Sequence, residues 1–238
     1  MSQSSPADAA AAGWSGALVV EPGLLAFTGR IGTAAAHAHA CLQILHVTTG
    51  AVHLSDEHGD TRRAHTAIIP TGVRHALTAE PDAKGLIAYL DPASTGARAA
   101  SHHLAALGPP EHASTWTHVE AIVPAADPAP LHPGLRRAVD LSTRRTDGPP
   151  DLTVLAGLVG LSASRLGHLF HDQLRLPYPA WRRWTRLRNA LDQVRAGATL
   201  TQAAHAAGFT DSAHLTRTCR AMFGLTPTEA LRAAGWRA

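Results

Sequence analysis

The sequence predicts an α+β protein of two domains, with a small β-barrel or sandwich first and an all-α domain with two helix-turn-helix units second. Three observations support this fold class. Residues 17–90 consist of short apolar runs separated by turn residues, which is typical of a sandwich or small barrel. After Pro133, segments of helical length alternate with brief Gly or Pro breaks. Within that helical part, one short pattern of alanine, glycine and apolar residues occurs twice.

The composition is that of a folded protein with room for two domains. The 238 residues are 45% hydrophobic and 16% charged, which is a globular rather than a disordered composition. No run of about 18 apolar residues occurs, so a membrane span is not expected. The two cysteines, Cys41 and Cys219, fall in different predicted domains. A disulfide framework is therefore not expected, and the cytoplasm is the predicted location.

The net charge of +3 hides a difference between the two parts of the chain. Residues 1–127 contain 6 Lys+Arg against 11 Asp+Glu, a net charge of −5. Residues 128–238 contain 15 Arg against 7 Asp+Glu, a net charge of +8. This asymmetry indicates that only the C-terminal part meets a polyanion, although arginines that simply solubilise a helical surface would give the same pattern.

The N-terminal elements are predicted from the turns between them. Residues 1–16 are expected to be a flexible leader, and residues 17–95 the β-rich domain. The expected strands are Ala17–Val20, Leu42–Thr48, Ala51–Leu54, Ala67–Ile69 and Gly85–Leu90.

Residues 96–130 are predicted to be a helical and linker region. A helix is expected at Ala97–Leu107, and a dimer contact within Ala97–Val123. Four prolines between Pro124 and Pro133 are typical of a linker. The helical domain is therefore expected to occupy residues 131–238.

The repeated pattern has the chemistry of a helix-turn-helix. Ala156 is small where one helix must lie against the next, and Gly160 stands four residues later, where a tight turn needs a positive φ. Leu161 then fills the space between the two helices. Forty-eight residues further on, the same positions hold Ala204, Gly208 and Phe209.

Each copy of the pattern leads into an amphipathic basic helix. Ser162 and Thr210 follow the two turns and are predicted to cap these helices. A long helix, Tyr178–Val194, connects the two units. Its arginines are candidates for phosphate contacts or simply a solvated helix face, and they are residues 182, 183, 186 and 188.

Three segments carry a resemblance to a known family. They are Leu161-Ser-Ala-Ser-Arg-Leu-Gly-His-Leu-Phe170, Ala207-Gly-Phe-Thr-Asp-Ser-Ala-His-Leu-Thr-Arg-Thr218 and Phe223-Gly-Leu-Thr-Pro227. In this order they resemble the DNA-binding domain of AraC/XylS-family transcription regulators, over roughly residues 131–232. The resemblance implies a seven-helix domain whose two recognition helices enter successive major-groove segments of double-stranded DNA, about 34 Å apart. It also implies transcription activation as the commoner mode, RNA polymerase as a partner, and no enzyme activity.

By this resemblance, the DNA-facing residues lie on the two recognition helices. They are Ser164, Arg165 and His168 in the first helix, and Ser212, His214, Thr216, Arg217 and Arg220 in the second. Arg217 is the best candidate for guanine readout because arginine can bond O6 and N7 together; a phosphate contact is the alternative. Gly167 and Ala213 stand at base-facing positions without a hydrogen-bonding side chain. Shape and phosphate contacts are therefore expected to carry much of the affinity.

A second group of polar residues lies in the β-rich part. Side chains two apart share one face of a strand, so a single strand over residues 37–43 would point His37, His39, Cys41 and Gln43 the same way. His75 would arrive from another strand. Three imidazoles and one amide oxygen suit Ni, Fe, Mn, Co or Zn. Cys41 is predicted to be a buried small hydrophobe, and His46, His53, His58 and His65 to be surface or turn residues.

This spacing resembles the two metal-binding motifs of the cupin family, a small double-stranded barrel, over residues 18–90. Two positions depart from the motifs. Gln43 stands where metal-binding cupins usually have Glu, and Ala79 stands where a polar residue is expected. AraC-type regulators often carry cupin-like sensor domains, many without metal. A metal site at His37, His39, Gln43 and His75, a metal-free pocket and a structural remnant therefore remain open.

These observations together predict a DNA-binding transcription regulator with a cupin-like sensor domain. A small-molecule effector or a metal ion is expected to bind the sensor and to change how it packs on the DNA-binding domain or on a second subunit of a homodimer. The alternatives are a metal-dependent cupin enzyme and a regulator for which the metal ion itself is the signal.

Overall fold

The computed structural model describes residues 13–117 and 128–236. Residues 13–117 contain nine strands followed by two helices, and residues 128–236 are helical; we call these parts the β-domain and the helical domain. The strands are β1 (Ser15–Glu21), β2 (Leu24–Arg30), β3 (Ala34–Ala38), β4 (Leu42–Thr49), β5 (Val52–Asp56), β6 (Thr61–Ala64), β7 (Thr66–Ile69), β8 (Arg74–Ala79) and β9 (Lys84–Leu90). The helices are α1 (Thr95–Leu107), α2 (Ala113–Thr117), α3 (Pro133–Thr143), α4 (Leu152–Leu158), α5 (Ala163–Leu174), α6 (Tyr178–Arg195), α7 (Leu200–Ala206), α8 (Ser212–Phe223) and α9 (Pro227–Ala233).

The β-domain is built from two antiparallel sheets. The larger has the order β1-β2-β9-β4-β7, and the smaller has the order β3-β8-β5-β6. The described strands of the two sheets do not pair with each other, so the predicted barrel is an open two-sheet structure. Its core lies between the sheets and contains Leu45, Leu54, Leu77, Ile87 and Trp116, all almost fully buried.

The predicted strands are found with small extensions, and several further strands join them. β1 begins at Ser15, inside the stretch predicted to be a leader, whose residues 1–12 lie outside the described part of the chain. The prediction of a single strand through residues 37–43 is wrong. β3 ends at Ala38 in the smaller sheet and β4 begins at Leu42 in the larger one, because the chain crosses between sheets here.

Helix α1 packs on the outside of the larger sheet. Its buried side chains, Ala97, Ala100 and Leu104, contact Leu42 and Ile68. The apolar face of α1 is therefore used within the chain. The rest of the predicted dimer region, residues 118–123, and most of the proline-rich linker lie outside the described residues.

The helical domain contains both predicted helix-turn-helix units. Helices α4 and α5 cross at 96° in the first unit, and α7 and α8 form the second. Gly160 and Gly208 have φ angles of +71° and +80°, which confirms the predicted left-handed turns. Helix α6 contributes Trp181 to the core of the first unit and Leu187 to that of the second.

The two domains are joined by polar contacts between β9, the β1–β2 turn and α6. Trp184 Nε1 donates to the buried carboxylate of Asp91 at 3.0 Å, and Arg188 lies 3.9 Å from the same oxygen. Arg188 also donates to the backbone carbonyl of Glu21 at 2.5 Å, and Arg195 to that of Val20 at 2.9 Å. These bonds fix α6 against the larger sheet.

Among the described helices, no single one is long and apolar enough to cross a membrane; only α4 and α5 together, as a bent pair, reach the required length and composition.

Candidate nucleic-acid interface and histidine cluster

The first recognition helix, α5, begins as predicted. The Ser162 hydroxyl accepts a hydrogen bond from the Arg165 backbone N–H at 3.1 Å, so Ser162 is the cap. Leu166, Leu169 and Phe170 are buried on the inner face. The predicted DNA-facing residues Ser164, Arg165 and His168 are all exposed on the opposite face, and Gly167 is half-buried.

The second recognition helix, α8, starts one residue later than predicted. Its cap is Asp211, whose carboxylate accepts from the His214 backbone N–H at 2.6 Å, so the prediction of Thr210 as cap is wrong. A carboxylate also suits the positive end of the helix dipole better than a hydroxyl. Thr210 instead hydrogen-bonds the His214 ring at 3.2 Å.

The predicted DNA-facing residues of α8 differ in whether their side chains already make contacts within the protein. Arg217 and Arg220 are exposed, and the structure records no ion pair for either within the described residues. The Thr216 hydroxyl donates to the Ser212 carbonyl at 2.8 Å. The His214 ring packs edge-on against Phe209, with ring centres 5.2 Å apart. The two arginines are thus the side chains most available to a phosphate or a base edge.

Most of the α6 arginines are engaged inside the protein. Arg182 donates to the Pro149 carbonyl at 2.8 Å and to Asp151 at 2.5 Å. Arg188 holds the β-domain, and Arg186 lies against Gly148 and Gly208. Arg183 is exposed and lines a cleft of about 570 Å³ together with Arg217. Of the four candidates for phosphate contacts, Arg183 is the most accessible.

The polar residues predicted in the β-domain converge at one buried point. His37 Nε2 lies 3.1 Å from His39 Nε2, which lies 2.5 Å from Gln43 Oε1. His75 Nε2 lies 3.2 Å from the same amide oxygen. The ring nitrogens of the three histidines that face this point lie within 4.8 Å of one another. All four side chains are at most 3% exposed, and we call them the histidine cluster.

The cluster forms by a different route from the predicted one. His37 is on β3, His39 is in the β3–β4 connection, Gln43 is on β4 and His75 is on β8. The residues thus come from both sheets rather than from one strand face. Cys41 is fully buried in another apolar cluster, as predicted, and does not join the histidines.

The orientation of two of the three imidazoles is fixed by the backbone. His37 Nδ1 lies 2.6 Å from the Ala35 carbonyl, and His75 Nδ1 lies 3.1 Å from the Val73 carbonyl. A carbonyl accepts only, so Nδ1 carries the proton and Nε2 presents a lone pair to the centre. Burial lowers the pKa of His37 to about 4 and that of His75 to about 3, so both rings are neutral at neutral pH.

No placement of the His39 proton satisfies every nitrogen of the cluster. The His39 Nδ1 is buried and forms no hydrogen bond with the described residues, and burial holds the pKa of His39 well below its ordinary value. With the proton on Nδ1, the Nε2 lone pair faces that of His37. A proton on Nε2 satisfies only one of His37 and Gln43. Turning the Gln43 amide supplies N–H groups to His39 and His75 but leaves the lone pairs of His37 and His39 opposed. Such a convergence of neutral donors fits a transition-metal ion.

An apolar pocket lies beside the cluster, between the two domains. Its volume is about 80 Å³. Leu18, Phe27 and Tyr89 line it from the larger sheet, and Leu215 and Phe223 line it from α8. The Tyr89 ring separates this pocket from the histidine cluster. The centre of the Tyr89 ring lies 4.9 Å from that of the His39 ring and 5.0 Å from that of the Phe223 ring.

Sequence reasoning did not find the part that Tyr89 and Phe223 play here. No pattern in the sequence indicates the contact of Phe223 with His39 across the domains, at 5.4 Å between ring centres. The alternation in β9 does predict that Tyr89 shares a face with buried Ile87, but not which residues it meets.

Comparisons with known proteins agree with this arrangement. Residues 155–233 match a family model described as "Helix-turn-helix domain", which spans both units. ToxT from Vibrio cholerae is similar with a TM-score of 0.56 and 8% identity, covering 89% of this chain and 98% of that one. ToxT of strain SCE256 with a bound unsaturated fatty acid has a TM-score of 0.52 and 8% identity, covering 90% and 96%. The likeness to ToxT shows that the two chains share a two-domain fold.

A further similar structure is a transcriptional regulator with an AraC-type DNA-binding domain from Chromobacterium violaceum. It is 29% identical over 42% of this chain and 93% of that chain, with a TM-score of 0.39. A search of curated proteins found no match.

Proposed function

We propose that this chain is an AraC-type DNA-binding transcription regulator, and that its β-domain is a sensor in which a metal ion at the histidine cluster controls how the helical domain binds DNA. The observation that carries the proposal is the convergence of three neutral imidazoles and one amide at a buried point in contact with the second recognition helix. The two helix-turn-helix units argue against the alternative of a cupin enzyme, because such an enzyme would need neither of them. We also propose that the protein acts in the cytoplasm.

The donor set supports a divalent transition metal rather than Mg²⁺ or Ca²⁺. Imidazole nitrogen suits Ni, Fe, Co and Zn, whereas Mg²⁺ and Ca²⁺ prefer an all-oxygen set. His37, His39 and His75 would hold the ion through Nε2, and Gln43 through its amide oxygen. A bound ion would supply positive charge at a point where lone pairs now face one another. The neutral amide in place of a carboxylate makes the site weaker than a three-histidine, one-glutamate site.

Metal binding is tested by loading the full-length protein with Co²⁺ or Zn²⁺ and measuring retained metal after gel filtration by elemental analysis. The wild type should keep a stoichiometric amount, and His37→Ala/His39→Ala should keep almost none. A matched control is His46→Ala/His65→Ala, which removes two exposed imidazoles and should retain metal like the wild type. Equal retention in both double variants, or none in the wild type, would refute the site.

DNA binding is tested with duplexes recovered from a random pool by the full-length protein. Binding should weaken when one exposed arginine of either unit is removed, by Arg165→Ala in the first unit or Arg217→Ala in the second. Binding by the wild type should also fall steeply as the salt concentration rises. A protein that retained the histidine-bound metal but selected no duplex would instead favour the enzyme alternative.

A second candidate signal is an apolar small molecule in the pocket between the domains. The pocket lining, with Phe27, Tyr89 and Phe223, favours an apolar ligand. ToxT, whose fold is similar, has been solved with an unsaturated fatty acid bound. The volume of 80 Å³ is far below the roughly 300–1,000 Å³ typical of ligand pockets, so such a ligand would have to part the domains. A fatty acid that changes the DNA affinity of His37→Ala/His39→Ala as much as that of the wild type would favour this candidate.

Homodimer formation and a contact with RNA polymerase remain part of the proposal. The buried face of α1 is covered by the larger sheet, so a dimer would have to use another surface. Sedimentation of the full-length protein with and without its selected duplex tests the dimer.

A further inference from the structure

The open side of the β-domain is covered by the end of the second helix-turn-helix unit. The larger sheet ends at β1 and the smaller sheet at β3, and these two edge strands do not pair. Helix α8 packs against β3, and helix α9 packs against β1. The turn between α8 and α9 therefore lies across the gap between the sheets, which makes a recognition helix part of the wall of the β-domain.

The segment Met222–Gly224, which we call the α8 end, enters this gap. The Phe223 ring packs against His39 and Tyr89 of the β-domain, at 5.4 and 5.0 Å between ring centres. Gly224 ends the helix with a φ of +71°, and a Cβ atom there would lie 2.8 Å from the Ala35 carbonyl oxygen. The α8 end thus has little room to move while the domains keep this arrangement.

The three imidazoles of the cluster are supported unequally. The Nδ1 atoms of His37 and His75 face carbonyls of the β-domain itself, Ala35 and Val73. The Nδ1 of His39 is buried without a hydrogen bond to any described residue, and Met222 of α8 lines the same cleft as His39. Two of the rings are therefore oriented within the β-domain, whereas the third packs against the second recognition helix through Phe223.

We propose that the α8 end couples the histidine cluster to DNA binding, because the Phe223 ring of this end packs directly against His39 of the cluster and against Tyr89. This inference rests on the proposed metal site and names its means of regulation. With a metal ion at Nε2, the His39 ring would be held in one orientation, and Phe223 would pack against a fixed surface. Without the ion, the His39 ring can turn, and the α8 end loses that fixed contact.

Coupling between two binding sites is reciprocal. If bound metal raises or lowers the affinity for DNA by some factor, bound DNA must change the affinity for metal by the same factor. The experiment titrates Co²⁺ into the full-length protein, alone and saturated with a duplex selected by that protein, following the Co²⁺ d–d absorption. In the wild type the two Co²⁺ dissociation constants should differ by at least about fivefold. In Phe223→Ala they should agree within about twofold.

A control variant separates loss of coupling from loss of structure. Phe223→Leu keeps apolar bulk at the same position, and it should retain an intermediate coupling together with the helical circular dichroism of the wild type. A measurement on the wild type needs no substitution: long-range ¹⁵N NMR of the His39 ring should show the proton on Nδ1 in the Zn²⁺-loaded protein.

The outcomes distinguish the two proposals. If Co²⁺ binds His37→Ala/His39→Ala as well as the wild type, or does not bind the wild type, the metal site is refuted and this inference with it. Co²⁺ that binds at the cluster with an affinity that the duplex leaves unchanged within twofold overturns the coupling alone. A His39 proton on Nε2 in the Zn²⁺-loaded protein refutes His39 as a ligand through that atom, and with it both the metal site as proposed and the coupling.

Discussion

The first recognition helix, α5, ends at the edge of an open cleft of about 460 Å³ between it and α1, whereas the second, α8, ends inside the gap of the β-domain. Both helices end in a left-handed residue, Arg175 with φ +54° and Gly224 with φ +71°. Only at Gly224 does a neighbouring backbone, at Ala35, leave no space for a side chain. Among the described residues, the recognition helix therefore ends at an open cleft in one copy of the motif and inside the gap of the β-domain in the other.

Under the proposed function, this difference would give the two units different tasks. A unit whose recognition helix ends at an open cleft is suited to hold DNA in any state of the sensor. A unit whose recognition helix forms part of the sensor wall can respond to what the sensor binds, because a ligand can shift an equilibrium only through contacts that differ between the two states. The predictions below test this asymmetry, starting from the largest expected effect.

The cores of the two units should differ in their contribution to stability. Phe209 is 4% exposed between α7 and α8, whereas the equivalent Leu161 is half-buried. Phe209→Ala should lower the free energy of unfolding by about 3–5 kcal/mol, the usual cost of deleting a buried ring. Leu161→Ala should cost clearly less. Urea unfolding followed by circular dichroism measures both, and equal losses would contradict the difference in packing.

Two tryptophans one turn apart on α6 separate the internal core from the domain junction. Both are fully buried, but Trp184 Nε1 donates to Asp91, whereas Trp181 Nε1 has no partner among the described residues. Trp184→Phe should therefore cost about 1.5–3 kcal/mol more than Trp181→Phe, because a hydrogen bond to a carboxylate is lost as well as ring volume. Urea unfolding measures the loss of stability in both variants. A loss for Trp181→Phe equal to or above that for Trp184→Phe would refute a stabilising hydrogen bond between Trp184 and Asp91.

The DNA contacts of the two units can be compared at one arginine in each. Arg217→Ala should weaken binding to the selected duplex by about 1–3 kcal/mol and relax the preference at one base pair, if Arg217 bonds a guanine. Arg165→Ala is the matched change on α5. Fluorescence anisotropy over a series of single-base variants measures both. A uniform loss over all duplexes, with a shallower salt dependence, would mean that Arg217 contacts phosphate only.

The two left-handed helix ends should respond differently to a change of side chain. Gly224→Ala should destabilise the protein by about 1–2 kcal/mol from the backbone conformation alone, and further by contact with the Ala35 carbonyl. Arg175→Gly relieves the same conformation at the free end and should not destabilise the native backbone there. Thermal unfolding of the pair checks this, and a Gly224→Ala protein as stable as the wild type would mean that the α8 end is not confined.

The smallest expected difference is between the caps of the two recognition helices. The Asp211 carboxylate of α8 titrates, whereas the Ser162 hydroxyl of α5 does not. Ser162→Ala should cost about 1 kcal/mol at any pH. The backbone N–H of His214 holds the pKa of Asp211 below its ordinary value of 3.8. A depressed folded-state pKa stabilises the protein above 3.8, and this stabilisation disappears as the pH falls through the folded-state pKa. The stability difference between wild type and Asp211→Asn should therefore shrink below pH 4, while that for Ser162→Ala stays constant.

The helical domain could be predicted closely because its signals are local. Gly160 and Gly208 need a positive φ, Ser162 caps the next helix, and Phe209 fills the space behind the turn, all within a few residues. The one local error, Thr210 as cap instead of Asp211, is a choice between two adjacent capping residues. The four residues of the histidine cluster were also correctly grouped, but from a strand that does not exist.

The sequence by itself determined the two-domain division, the paired units, the exposed faces of α5 and α8, and the residues of the histidine cluster, because periodicity, turn chemistry and ligand type are local properties. Tertiary structure alone decided which nitrogens face the cluster, where Phe223 inserts, and which recognition helix ends inside the gap of the β-domain. Those features depend on contacts between residues more than a hundred positions apart, such as His39 and Phe223. Their geometry follows from how the two open sheets and the helices fill the space between them, and no short-range pattern records it.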